Sequence, residues 1–152
     1  MSHALEESAP LAVTDHRRQL SDRHETTTSA RPILVIDDDP AILEVVSCAL
    51  EDAGYMVAAV SSGREAFQWI LAARAVGEPP ALILLDLAMP GMSGQQLVLA
   101  LRQRWGARLS PIIIISADRH ASLRGHELGA ASTLMKPFDL AELLTVVEQF
   151  AT

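Results

Sequence analysis

The stretch Ile33-Leu34-Val35-Ile36-Asp37-Asp38-Asp39-Pro40 decides the fold. Its four aliphatic residues have no polar interruption, and three of them are β-branched. A run this short and this apolar suits a strand covered on both faces. It ends in three aspartates and a proline. Pro40 fits the first position of a helix and Asp39 its N-cap. The segment therefore reads as a buried strand, an acidic turn and a helix start.

Working outward, the same alternation recurs. Further apolar runs occur at Tyr55–Val60, Ala81–Leu85, Ile112–Ile115 and Ser132–Met135. Leu82–Leu85 and Ile112–Ile115 are again wholly apolar, as interior strands require, whereas the second and fifth runs are mixed and suit sheet edges. Helical patterns separate them. Residues 40–53 group Ile42, Val45, Val46, Ala49 and Leu50, with Gly54 at the stop. Ser62 with Glu65, and Ser93 with Gln96, have the spacing of capping boxes. The first precedes Phe67, Ile70 and Leu71, and the second precedes Leu97, Val98, Leu101 and Trp105. A shorter helix is expected over 119–128, and a last one, 139–150, groups Leu140, Leu143, Leu144 and Val147. Five strand–helix units imply an α/β fold, a parallel sheet with two helices on one face and three on the other.

Composition bounds the function. The chain has 152 residues, 49% of them hydrophobic but only 4% aromatic, so an aliphatic core is expected. Twelve basic against nineteen acidic residues leave a net charge of −7, which argues against direct DNA binding and against adhesion to anionic membranes. Cys48 is the single cysteine, which excludes an internal disulfide. No apolar run has the length of a membrane span and no secretory signal is visible, so the expectation is a cytoplasmic protein. Residues 1–30, rich in Ser, Thr, His and charges, read as a flexible N-terminal tail, and 31–152 as the folded domain. Lys136 is the only lysine beside eleven arginines.

In open parallel sheets, functional groups gather beyond the carboxyl ends of the strands. Asp37, Asp38 and Asp39 follow the first run, Asp86 the third, Ser116 the fourth and Lys136-Pro137 the fifth. Each has an ordinary reading: Asp39 as a cap, Asp37 and Asp38 as solvated turn residues, Asp86 as a turn former, Ser116 as a cap, Lys136 as a surface charge. Together at one edge they read as a metal-dependent phosphoryl-transfer site. Carboxylates from two strands form a hard oxygen cage for Mg²⁺ or Mn²⁺. One carboxylate serves as nucleophile, and a hydroxyl and a lysine hold the phosphoryl oxygens.

Four segments carry a family resemblance. They are residues 33–40, quoted above; Leu84-Leu85-Asp86-Leu87-Ala88-Met89-Pro90-Gly91-Met92-Ser93-Gly94; Ile113-Ile114-Ile115-Ser116-Ala117; and Met135-Lys136-Pro137-Phe138. In this order they make residues 32–152 resemble the receiver domain of bacterial two-component response regulators. The resemblance implies the flavodoxin-like sheet order 2-1-3-4-5, with the first and third strands adjacent. It implies that Asp86 accepts a phosphoryl group from a phosphohistidine. Asp37, Asp38, Asp86 and the backbone carbonyl of Ala88 would hold the metal, Ser116 would bind a phosphoryl oxygen, and Lys136 would pair with the phosphoryl group. A cis Lys136–Pro137 bond is expected.

Thr133 departs from the resemblance, because many receivers carry Tyr or Phe three residues before the lysine. A stiff, small Thr cannot act by aromatic burial. Ala88 and Asp118 correspond to positions flanking the path of the attacking water, where Asp118 would either orient water or oppose the phosphoryl charge. The last helix carries Asp139, Glu142 and Glu148 but no basic residue, whereas the resemblance implies an arginine there in receivers that dimerise through charged pairs, so a monomer, or a dimer built differently, is expected. The expected partners are a sensor histidine kinase or a histidine phosphotransfer protein and a downstream protein target, with neither DNA nor membrane. The expected function is that of a stand-alone, single-domain response regulator, not a turnover enzyme, signalling through phosphorylation-dependent protein contacts or a phosphorelay. The alternative is a phosphorylation-independent scaffold, favoured only by Thr133. An aspartate-based phosphatase usually carries a second acid two residues after its nucleophile, where this chain has Ala88.

Overall fold

A computed structural model of the protein describes residues 31–151. The expected N-terminal tail lies outside the described residues. Five parallel strands, β1 (Ile33–Ile36), β2 (Val57–Val60), β3 (Leu82–Asp86), β4 (Ile112–Ser116) and β5 (Ser132–Met135), form one sheet in the order β2-β1-β3-β4-β5. The helices among the described residues are α1 (Pro40–Asp52), α2 (Gly63–Ala75), α3 (Gly94–Trp105), α4 (Ala121–Glu127) and α5 (Leu140–Phe150). A 3₁₀ turn, Gly106–Arg108, follows α3.

The pleat sends alternate residues of each strand to opposite faces. Leu34, Ile36, Ile83, Leu85, Ile112 and Ile114 pack on one face, against Ala66 and Ile70 of α2, Leu97 and Leu101 of α3, and Leu128 at the end of α4. Ile33, Val35, Leu82, Leu84, Ile113 and Ile115 pack on the other, against Val46 and Leu50 of α1 and Leu143 and Val147 of α5. The three wholly apolar runs lie in the interior strands, which are buried at every residue, and the mixed runs lie at the edges.

Local rules explain the helix starts, with two departures. Asp39 caps α1 by accepting the Ala41 N–H at 2.9 Å. Ser93 and Gln96 form a reciprocal capping box on α3. Ser62 accepts the Glu65 N–H at 3.1 Å, but the Glu65 carboxylate turns to the Ser61 hydroxyl at 3.3 Å, so only half of that box forms. Val45, expected on the buried face of α1, is 52% exposed. It lines an open groove with Ala41, Ile42, Phe138 and Leu140 instead. The burial of α1 runs through Val46 and Leu50, and Val45 lies outside that stripe.

Two close approaches tie the layers to the strand ends. A Cβ on Gly94 would lie 2.6 Å from the Asp86 carbonyl oxygen and 2.7 Å from the Leu87 Cα, so α3 begins hard against the end of β3. Arg102 of α3 donates from Nε to the Leu128 carbonyl and from Nη2 to that of Gly129, each at 2.7 Å. Those carbonyls close α4, and a guanidinium there also complements the helix dipole.

Candidate functional site

Because β1 and β3 are neighbours, with Ile36 opposite Leu85, their carboxyl ends deliver Asp37 and Asp86 side by side. Carboxylate oxygens of Asp37, Asp38 and Asp86 all lie within 4.8 Å of one another. Asp37 and Asp86 are buried and Asp38 is exposed. Asp39 is adjacent in sequence but serves as the α1 cap.

Each buried carboxylate is oriented by one oxygen and paired through the other. Asp37 Oδ1 accepts the Asp39 N–H at 2.9 Å, and Asp86 Oδ1 accepts the Ala88 N–H at 3.2 Å. Lys136 Nζ then lies 3.1 Å from Asp37 Oδ2 and 3.4 Å from Asp86 Oδ2. The Lys136–Pro137 bond is cis. Burial raises the Asp86 pKa above its ordinary value, with the Asp37 charge adding to the shift; Lys136 and the Ala88 N–H act against it. Burial also acts against the Lys136 ammonium, but its hydrogen bond to Asp37 and the charges of Asp86 and Asp37 outweigh that and raise its pKa.

Ser116 is buried at the end of β4. Its Oγ accepts the Asp118 N–H at 3.1 Å, and its carbonyl accepts the Lys136 N–H at 2.9 Å. Ser116 does not cap α4, whose N-cap residue is His120. Asp118 turns its carboxylate to the His120 N–H at 2.9 Å and to Arg124 at 3.5 Å. The His120 N–H lowers its pKa most; desolvation opposes this, and the charge of Arg124 lowers it further.

All the anionic donors are oxygens, so the set fits a hard divalent cation. Ala88 follows Asp86 closely enough for its N–H to bond that carboxylate, and its side chain is too small to crowd the cluster. Sequence reasoning located Asp37, Asp38, Asp86, Ser116 and Lys136 at this edge. It gave no role to Gly94, which appears only within a family segment, or to Arg124. The serine–glycine pair opening a helix just beyond a strand was the available signal for Gly94. Nothing local signals the ion pair of Arg124 with Asp118.

A doubly wound parallel sheet with an acidic cluster and one lysine at its carboxyl edge defines a flavodoxin-like α/β domain. More narrowly, the chain belongs to the response regulator receiver domain family, which matches residues 33–148. It is similar to the transcriptional regulatory protein HprR of Escherichia coli, 38% identical over 117 residues, covering 76% of this chain and 49% of HprR. It is also similar to the DNA-binding response regulator MtrA of Mycolicibacterium smegmatis, 35% identical over 79% of this chain and 50% of MtrA. Among solved structures, a putative response regulator from Chloroflexus aurantiacus superposes with a TM-score of 0.72 at 31% identity, covering 80% of this chain and 98% of that one.

These relatives correct the expected partners. The chain spans about half the length of HprR and MtrA, and MtrA is named for DNA binding. The exclusion of direct DNA binding, drawn from the net charge of −7, therefore does not stand. An acidic stretch of this kind corresponds to only about half of a DNA-binding protein, so its charge says nothing about DNA contact by the whole. The stand-alone, monomeric reading rests on the sequence alone, since relatives of both lengths match this chain. No helix among the described residues is long and apolar enough to cross a membrane.

Proposed function

We propose that this protein is a phosphoacceptor whose Asp86 takes a phosphoryl group from a phosphohistidine. The observation that carries the reading is the shared ammonium: Lys136 reaches two buried carboxylates, Asp37 and Asp86, beside an exposed third, Asp38. An Asp86 oxygen attacks phosphorus, the P–N bond breaks with its electron pair going to the imidazole, and an acyl phosphate forms. Asp37, Asp38, Asp86 and the Ala88 carbonyl would hold Mg²⁺ or Mn²⁺. Such an ion supplies positive charge that offsets the carboxylates and the incoming phosphoryl group.

The remaining work belongs to the chain. The Ala88 N–H fixes one Asp86 oxygen and leaves the other directed at Lys136. Lys136 exchanges part of its carboxylate pairing for a phosphoryl oxygen, supplying charge without moving a proton. The Ser116 oxygen accepts the Asp118 N–H, so its own hydrogen is available to a phosphoryl oxygen. The acyl phosphate then alters what the surrounding surface binds, which makes the protein a signalling element.

The test is incubation with Mg²⁺ and a small phosphodonor, followed by intact mass measurement. The expected result is a gain of one phosphoryl group by the wild-type protein and none by Asp86→Asn. A wild-type protein that stays unmodified, or an Asp86→Asn variant that gains the same mass, overturns the reading.

A further inference from the structure

We infer that Arg124 is a positioning residue for the Ser116 hydroxyl, acting through Asp118; the inference rests on the phosphoacceptor reading above. Asp118 is the knot of the β4–α4 connection. Its N–H donates to Ser116 Oγ at 3.1 Å, and its carbonyl accepts the Ala121 N–H at 3.0 Å. Its carboxylate spends Oδ1 on the His120 N–H at 2.9 Å and Oδ2 on Arg124 at 3.5 Å. No other side chain caps α4. The geometry of this loop therefore hangs on one carboxylate, and among the described residues the only side chain paired with it is that of Arg124.

The consequence is carried by the first of these bonds. The Asp118 N–H occupies a lone pair of the Ser116 oxygen and fixes the direction in which the hydroxyl hydrogen is free to point. Ser116 is buried, so its hydroxyl cannot reorient freely in solvent to compensate. Each carboxylate oxygen is engaged by its own loop or helix, so the Asp118 side chain holds the loop's orientation. The Arg124 side chain is half exposed, at 51%, so replacing it leaves the core intact and changes only how tightly the knot is tied.

The experiment uses the full chain as wild type, Arg124→Gln, Arg124→Lys, Ser116→Ala and the double variant Ser116→Ala/Arg124→Gln. The rate of acyl-phosphate formation from acetyl phosphate is followed by intact mass, and the Mg²⁺ dissociation constant by calorimetry. Loss of an exposed pair of this kind predicts a slowing of about threefold in Arg124→Gln. Arg124→Lys recovers most of the rate, the Mg²⁺ constant is unchanged, and in the Ser116→Ala background Arg124→Gln has no further effect. An equal slowing in that background, a wild-type rate in Arg124→Gln, or a shifted Mg²⁺ constant overturns the inference. Failure of the wild-type protein to take up phosphoryl at all overturns the phosphoacceptor reading itself, which is a separate outcome.

Discussion

The Lys136 ammonium lies 3.4 Å from Asp86 and 3.1 Å from Asp37, so a single cation is divided between two carboxylates that are themselves almost wholly buried. β5 delivers the lysine across β4 to the acidic ends of β1 and β3. Without a metal, this is the site's internal source of neutralisation, and the balance is incomplete because two buried negative charges face one positive.

Removing that cation leaves the two carboxylates facing each other. Lys136→Met, which keeps the aliphatic stem, is expected to lower stability by about 2 kcal/mol at pH 7; this is below the usual cost of breaking a buried pair because the ammonium is partly exposed. The folded-state pKa of Lys136 is raised above 10.5, so its stabilisation is fully present below that value and is lost as pH rises through the higher folded value. Urea unfolding should therefore show a gap between wild type and variant that is steady up to pH 10.5 and narrows above it. A gap independent of alkaline pH would assign the loss to packing.

Asp86 carries the opposite sign. Its pKa is raised in the folded state by burial and by Asp37, so the ionised form costs stability. The folded state binds the proton more tightly than the unfolded one, and stability therefore falls as pH climbs from 3.8 through the raised value. Asp86→Asn should stabilise the metal-free protein by about 1 kcal/mol at pH 7, with the gain shrinking toward pH 4. Thermal melts across that range in a chelator measure it. An Asn variant less stable than wild type at pH 7 would mean that the carboxylate is a net stabiliser.

The resemblance pointed to Thr133 as a departure, and the fold shows what Thr accommodates. Thr133 Oγ1 would lie only 2.5 Å from a Cβ built on the buried Gly125 of α4, so helix and strand touch at a glycine and a small polar side chain. Ala in place of Gly within a helix ordinarily gains about 1 kcal/mol. Here Gly125→Ala should instead cost about 1–2 kcal/mol through overpacking. In a Thr133→Ala background the obstructing oxygen is gone, and the remaining neighbours, Ala130 and Ile114, stand at 3.6 and 3.7 Å. The same substitution should then stabilise. Four denaturation curves decide it, and an unchanged sign in the second background would show that the close approach does not control the packing.

What was legible in the sequence follows from the range of the forces involved. The runs Ile33–Ile36 and Ile112–Ile115 were readable as strands because burial on both faces removes every polar residue from the run. The site edge was readable because a parallel sheet sends every strand end the same way. The details that escaped depend on tertiary neighbours. Val45 has the character of a core residue, yet lies on an open groove because α1 buries through Val46 and Leu50. Glu65 has capping-box spacing, but Ser61 competes for its carboxylate. Gly94 looks like an ordinary helix start until α3 is laid against the Asp86 carbonyl. Sequence spacing cannot show which rotamer or backbone approach wins such a competition.

The acidic cluster should couple divalent cations to stability. A ligand that binds only the folded protein adds about 2.7 kcal/mol when its free concentration is a hundredfold above its dissociation constant. Asp37, Asp38 and Asp86 converge within 4.8 Å only when β1 and β3 are paired, so the unfolded chain has no equivalent site. Mg²⁺ should therefore raise the melting temperature of the wild-type protein in a saturable way, and chelation should reverse it. Asp37→Asn removes a buried carboxylate and with it most of that response. Its metal-free stability should stay at or above the wild-type value, because one of two repelling charges is gone even though Lys136 loses a partner. Asp38→Asn, at an exposed position, should weaken the Mg²⁺ response and leave the metal-free melt unchanged. Melts at fixed ionic strength with Mg²⁺, and with an equal charge of Na⁺ as control, separate binding from screening. An equal shift with Na⁺, or a full Mg²⁺ response in Asp37→Asn, would show that the three aspartates do not form a cation site.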